Sequence, residues 1–379
     1  MSLSKFASLK LFITGPTYIR DEVKAAAALP EFGHRDAENE LRFGPIRRHL
    51  RTLAGCGDDY EPILVLGSGS SAMETSIRSL VADDEILLNV SVGAFGDHYH
   101  AIALANGKQS TNLKFEYGRP IDLVVLEHKL KELRPDVVSF THNETSTGVT
   151  NDMKAVCALI RQYDAMPLVD GVSIFGGADI DLSHSGAAMY VTATQKSLAL
   201  PAGFGIGFVS REAEDKAATL TNKGHAHDIT RQLVCARKNQ TLTTPNGALA
   251  NQMAVQLDSI VNTEGIENRF ARHITMRGMV EEWVATLDGF EMFAPKGFRS
   301  VTMSSVVCPE GVTQAQLKGT VKEALRSKGY LMDPGYSKLN AQLEKQGMRQ
   351  IIRIGHMGDI TPDMLAEYLV DLEVELKKL

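Results

Sequence analysis

Cysteine is scarce in this chain. Four occur in 379 residues, at positions 56, 157, 235 and 308. No pair forms a CxxC, and the eleven histidines contain no HxxxH, which excludes a zinc ribbon, a dithiol redox motif and a disulfide scaffold, and leaves a reduced chain. Cationic excess is also missing. Lys and Arg number 40 against 46 Asp and Glu, a net charge of -6. A nucleic-acid or acidic-membrane partner would call for the opposite balance. No apolar run reaches the roughly 18–20 residues of a membrane span. The opening "MSLSKFASLKLFITGP" has only a short apolar run before Gly15 and Pro16, so no secretory leader is expected. The closing "KKL" departs from the peroxisomal "SKL" address, and a cytoplasmic location is the expectation. There is no internal repeat and no low-complexity linker.

What the chain does have is an ordinary globular composition, 44% hydrophobic and 23% charged, and a strict alternation of patterns. "PILVLG" (62–67), "EILLNV" (85–90), "DVVSFT" (136–141), "MPLVD" (166–170), "MYVTAT" (189–194) and "IGFVS" (206–210) read as strands. Between them, 72–81 and 153–163 carry apolar residues at helical spacing. Continuous apolar strands alternating with helices predict a mostly parallel sheet covered on both faces. After about residue 250 the pattern changes. A long helical stretch (247–287) precedes short strand-like pieces, a helix over 313–329, "QIIRIGHMG" and a last helix from about 361. This predicts a second, α+β domain.

Four stretches carry chemistry. "LGSGSSAME" (66–74) runs a strand into glycines and serines and then a helix, a cradle for phosphate; a plain strand-to-helix turn is the alternative. Asp170 ends an apolar strand, where parallel sheets bind ligands; the alternative is an Asp that caps the next turn. "THNETSTGV" (141–149) is dense in hydrogen-bonding side chains, for a site or for solvation at the surface. Lys196 follows Gln195 among small residues in "ATQKSLALPAGFG" (193–205), either an exposed lysine or a reactive amine. A phosphate cradle, a strand-end acid and a strand-end amine on one sheet match the three needs of pyridoxal phosphate.

With these pieces in order, the sequence resembles the class V pyridoxal-phosphate aminotransferases of fold type I. It is most similar to the alanine/serine–glyoxylate (serine–pyruvate) group. The likeness runs through "TGPT" (14–17), "GHRDAE" (33–38), "GSGSSAMETS", "GAFGD", "HNETSTGV", "LVDGVSIFGG", "TQK" and "RIGHMG" (353–358). It implies an N-terminal arm and a large domain over 1–250 with a seven-stranded, mostly parallel sheet. A helix connection and a smaller C-terminal domain over 251–379 would follow. It implies that Lys196 carries the cofactor's aldehyde and that Asp170 pairs with the ring nitrogen. Gly69, Ser70 and Ser71 would hold the phosphate, although the animal alanine–glyoxylate enzymes have histidine at the position of Ser70. Phe95 would lie over the ring, Thr145 and Gln195 would touch its substituents, and Arg353 would grip the substrate carboxylate. Thr243 or Thr244, in "QTLTTPNG" (240–247), would complete the phosphate site of a neighbouring subunit in a homodimer.

The substrates implied are a small amino acid (serine or alanine) and a small 2-oxo acid (glyoxylate or pyruvate). Within the same class, a phosphoserine aminotransferase is the closest rival, with His34 and Arg35 on the substrate phosphate and Arg349 assisting. A cysteine desulfurase would need a nucleophilic cysteine on a mobile loop, but Cys308, in "VVCPEG", directly follows an apolar strand, with no matching loop. A non-catalytic nucleotide-binding protein would explain the cradle and Asp170, but not Lys196, Thr145 and Arg353 together.

Overall fold

The computed structural model describes residues 9–379. Its strands, in chain order, are β1 (Lys10–Phe12), β2 (Tyr60–Gly67), β3 (Ile86–Ser91), β4 (Gln109–Lys114), β5 (Val137–Thr141), β6 (Asn143–Glu144) and β7 (Val149–Thr150). Then come β8 (Met166–Asp170), β9 (Met189–Ala193), β10 (Gly203–Ser210), β11 (Glu291–Met292), β12 (Met303–Val307), β13 (Tyr330–Met332) and β14 (Ile351–Gly355). Seven of them form one sheet in the order β2-β10-β9-β8-β5-β3-β4. Only β10 runs against its neighbours; the others are parallel. The expected mostly parallel sheet of seven strands is therefore present, and β10, the "IGFVS" strand, is its antiparallel member.

Alternate residues of each central strand feed opposite cores, as the pleat requires. Leu88, Val138, Phe140 and Val169 join one cluster with the helix Asn39–Ala54. Leu87, Val137 and Leu168 join the other with the helix Gly69–Leu80. Burial on both faces explains why the strands read as unbroken apolar runs.

A third core lies around the small sheet β11-β12-β14. It gathers Val306, Ile352, Val280 and Tyr368 from the C-terminal third, and Phe12 from β1. The Phe12 ring stacks on Tyr368 with centroids 3.9 Å apart, and β1 pairs in parallel with β13.

The expected long helix over 247–287 is two helices, Gly247–Asp258 and Ile266–Ala285, joined by a wider helical turn. The break falls at Gly265, whose φ of +82° only glycine adopts without strain. Leu249, Met253 and Leu257 of the first helix pack into the core shared with the large sheet. The stretch "THNETSTGV" is not a solvated loop. Residues 141–149 are all buried, and β6 and β7 form a small hairpin within it. Among the described residues no helix is long and apolar enough to cross a membrane.

Candidate active site

β2, β3, β8 and β9 all end on one edge of the sheet, and the chemistry-bearing residues follow those ends. Ser68 and Gly69 come after β2, Phe95 after β3, Asp170 ends β8, and Gln195 and Lys196 follow β9. They line one cavity of about 320 Å³ together with Gly15, Ser70, Met73 and Val172. A parallel sheet directs ligands to this edge.

At one side of the cavity, Lys196 Nζ donates to the carbonyl of Thr14. The Lys196 carbonyl accepts from Thr17 Oγ1 at 3.0 Å. The N-terminal segment therefore holds the lysine from both ends. A Cβ on Gly15 would fall 2.7 Å from Lys196 Nζ, and its φ is +119°, so "TGPT" admits only glycine there. Burial disfavours the ammonium and Arg353 repels it, which lowers the Lys196 pKa to about 8 against the pull of Asp170, Asp333 and Glu144. The Phe95 ring centroid lies 5.8 Å from Nζ.

Asp170 is 3% exposed. Its Oδ1 accepts the N–H of Val172 at 2.9 Å. Burial raises its pKa to about 7, the Val172 N–H works the other way, and the nearby Glu144 carboxylate adds to the rise. This is a carboxylate short of a counter-charge. Gln195 Oε1 is buried with no hydrogen-bond partner.

The helix Gly69–Leu80 opens at the cavity, where its first N–H groups lack intrahelical acceptors. Gly69 is needed because a Cβ would sit 2.6 Å from Val172 Cγ2. Ser70 Oγ contacts His98 Nε2 at 2.9 Å, so an imidazole stands beside the serine from the helix Ala94–Ala105. Ser71 Oγ turns back to the N–H of Ser68 at 3.4 Å and does not line the cavity.

Arg353 on β14 donates from Nη1 to the Thr145 carbonyl at 3.0 Å and pairs through Nη2 with Asp333 at 2.9 Å. Its Nε is buried and unpartnered. Asp333 also accepts from Thr14 Oγ1 at 3.3 Å, which joins the arginine to the segment holding Lys196. It is Thr145's backbone, not its hydroxyl, that makes this contact.

His34, Arg35, Thr243 and Thr244 gather elsewhere. Arg35 donates to the carbonyls of Thr241 and Leu242 at 2.7 and 2.9 Å. His34 Nε2 meets Thr244 Oγ1 at 3.4 Å, and the Thr243 carbonyl accepts from Thr241 Oγ1 at 2.7 Å. None of the four lines the Lys196 cavity, and neither do Thr145 and Arg353, which reach it only through Thr14 and Asp333. Arg349 pairs with Glu291 along a different groove. Cys308 is fully buried and its thiol is pushed up to about 12 by that burial, which leaves no thiolate for a desulfurase.

Sequence reasoning gave no role to Thr14, His98 or Asp333. Thr14 and Gly15 stand inside the quoted "TGPT"; His98 and Asp333 carry no local signal, since only folding brings them to the site.

The residues present fit pyridoxal phosphate: a lysine of lowered pKa, a buried carboxylate lacking a cation, an unpartnered amide oxygen and a glycine-opened helix N-terminus in one cavity. The comparisons agree. The profile of the family described as aminotransferase class-V matches residues 20–358. An uncharacterized aminotransferase of Methanocaldococcus jannaschii is 30% identical over 97% of this chain and 93% of its own. A serine–glyoxylate aminotransferase of Hyphomicrobium methylovorum is 27% identical over 97% and 89%. Relatives with similar identity are named for other donors, L-aspartate and 2-aminoethylphosphonate. The crystal structure of an alanine–glyoxylate aminotransferase from Nostoc superposes with a TM-score of 0.89, at 23% identity, over 99% of this chain and 97% of that one. The chain belongs to the class V aminotransferases and is a pyridoxal-phosphate-dependent aminotransferase.

Proposed function

We propose that the enzyme moves the amino group of serine or alanine to glyoxylate or pyruvate, with Lys196 as the residue that carries the cofactor and shuttles the proton. The observation that carries this reading is the pairing of a lysine of pKa about 8 with a buried Asp170 in one cavity. Pyridoxal phosphate, when bound, supplies an electron sink for the substrate's Cα. Lys196, once its amine is released from the cofactor, would take the proton from the substrate's Cα and deliver it to the cofactor carbon that had carried the aldehyde. Asp170 holds a proton on the cofactor's ring nitrogen. Gln195 Oε1 would accept from the ring hydroxyl, whereas Thr145, the family's ring contact, does not line this cavity. Gly69, Ser70 and the helix N-terminus receive the phosphate, with Ser71 shaping the turn.

Arg353 binds the substrate carboxylate. Its buried, unpartnered Nε is the donor such a ligand would satisfy. The serine– and alanine–glyoxylate relatives support the same donors. On this reading the working unit is a cytoplasmic homodimer, in which His34, Arg35 and the 240–247 segment serve the neighbouring site.

Borohydride reduction of the holoenzyme is expected to fix the cofactor on Lys196. A Lys196→Ala protein that still transaminated at the wild-type rate would overturn the assignment. A donor panel followed by cofactor absorbance tests the substrate. Phosphoserine turnover well above that of serine or alanine would reverse the preference.

A further inference from the structure

The hairpin loop 141–149 holds a carboxylate that the reading above leaves unused. Glu144 is fully buried. Its Oε2 accepts the N–H groups of Phe95 and Gly96 at 3.0 and 3.1 Å. Its Oε1 accepts the N–H and the hydroxyl of Ser146 at 2.9 and 2.7 Å. Ser146 Oγ in turn accepts the N–H of Ala94 at 3.0 Å. The helix Ala94–Ala105 has Gly93 as its N-cap, with no side chain to cap it. Its first three N–H groups are satisfied instead from a loop 50 residues further along the chain.

Ordinary capping by a neighbouring Ser or Asp would fix the helix end alone. This cap fixes it relative to the sheet edge. Burial raises the Glu144 pKa, but all four contacts are donors that work the other way, and the helix dipole also favours an anion there. Glutamine would turn an NH₂ group toward two donors. The fit is close on the other side too, since a Cβ on Gly93 would lie 2.4 Å from Glu144 Cγ. Phe95, held by its own N–H, is the residue of this turn that lines the Lys196 cavity, and Glu144 does not line it. The next residue, Thr145, gives its carbonyl to Arg353.

We propose that Glu144 is a positioning residue that clamps the first turn of the helix Ala94–Ala105 and thereby fixes the Phe95 ring against pyridoxal phosphate held at Lys196. The proposal rests on the Lys196 reading. A cap that served stability alone would lower the melting temperature and leave cofactor affinity untouched.

The test is a double-mutant cycle on the holoenzyme with Glu144→Gln, Phe95→Leu and both together. The readouts are the cofactor's dissociation constant and the circular dichroism of its absorption band. Each single change is expected to weaken cofactor binding about tenfold and to shrink the band. The double variant should fall well short of the sum of the two single losses, because Glu144 acts chiefly through that ring, and only its charge on Asp170 and Lys196 is lost independently of it. Unchanged affinity in Glu144→Gln, or additive losses in the double variant, would overturn the proposal. If Glu144→Gln does not fold, Ser146→Ala enters the same cycle, since it removes one donor to Glu144 and the cap on Ala94. Wild-type protein reduced with borohydride is the control. No label on Lys196 removes the Lys196 reading, whereas a labelled Lys196 with additive losses removes only the role of Glu144.

Discussion

Asp170 sits at the end of β8, its carboxylate with one hydrogen bond, from Val172, and a pKa raised from 3.8 to about 7. Consider Asp170→Asn in the apoprotein. The folded state favours the neutral carboxyl, and the unfolded chain ionises near the ordinary value. Between those two values the native protein binds more protons than the unfolded one. Its stability therefore falls as pH rises through about 4 to 7 and stays low above. At pH 8 the full cost is on the order of 4 kcal/mol, and at pH 5 about 1–2 kcal/mol. Asparagine keeps the acceptor for Val172 and removes the charge. For 379 residues, an unfolding entropy of about 0.8 kcal/mol/K turns 4 kcal/mol into a rise of about 5 °C. Cofactor reverses the sign: on the proposed reading the carboxylate is the counter-charge of the ring nitrogen, so the variant gains less stability from added pyridoxal phosphate. Thermal melts of apoprotein at pH 5 and pH 8, with and without cofactor, measure both effects. A variant that melts below wild type as apoprotein at pH 8, or gains equally at both pH values, would refute the reasoning.

Lys196, with its pKa near 8, is expected to capture cofactor at a rate that climbs with pH and levels off above about 8. Asp333→Asn should move that midpoint down, because Asp333 favours the ammonium; stopped-flow absorbance would read it, and a midpoint near the ordinary lysine value would contradict it. Arg353→Lys should raise KM for the oxo acid tenfold or more while kcat changes less, given what a charged hydrogen bond is worth. Unchanged KM would take Arg353 out of the substrate site. Gly69→Ala should weaken cofactor binding, since its Cβ would press Val172 in the cavity wall. Equilibrium dialysis with the same affinity as wild type would show that the wall yields.

The large sheet was legible because each central strand is buried on both sides. Leu87, Leu88 and Val90, or Leu168 and Val169, feed two cores at once, and the sequence records this as unbroken apolar runs. Asp170 and Lys196 were legible because they interrupt those runs at strand ends. The break at Gly265 was not, because apolar spacing continues across it and a single glycine of positive φ separates the two helices. The loop 141–149 left a functional site and surface solvation both open. Polar residues suggest solvent, yet here Asn143, Glu144 and Ser146 bond to Ser173, Phe95 and Ala94 and the loop is interior. Asp333 lies 137 positions from Lys196 and His98 lies 28 from Ser70. No local pattern encodes such meetings; they exist only once the sheet edges are assembled.

The pairing of β1 with β13 has a consequence for biosynthesis. Thr14 and Thr17, which hold Lys196, follow a strand whose register is set by residues 330–332. Residues 10–15 leave the ribosome over 300 positions before their partner strand and must wait for it before they can settle. The sheet can form early from neighbouring strands, but the amine's pocket closes only after a contact spanning over 300 positions, a slow kind of closure. Nascent chains should therefore carry a formed sheet and an unfinished pocket. Capture of cofactor then becomes a step that follows translation, and a chain cut before residue 330 should fold in part yet hold no cofactor.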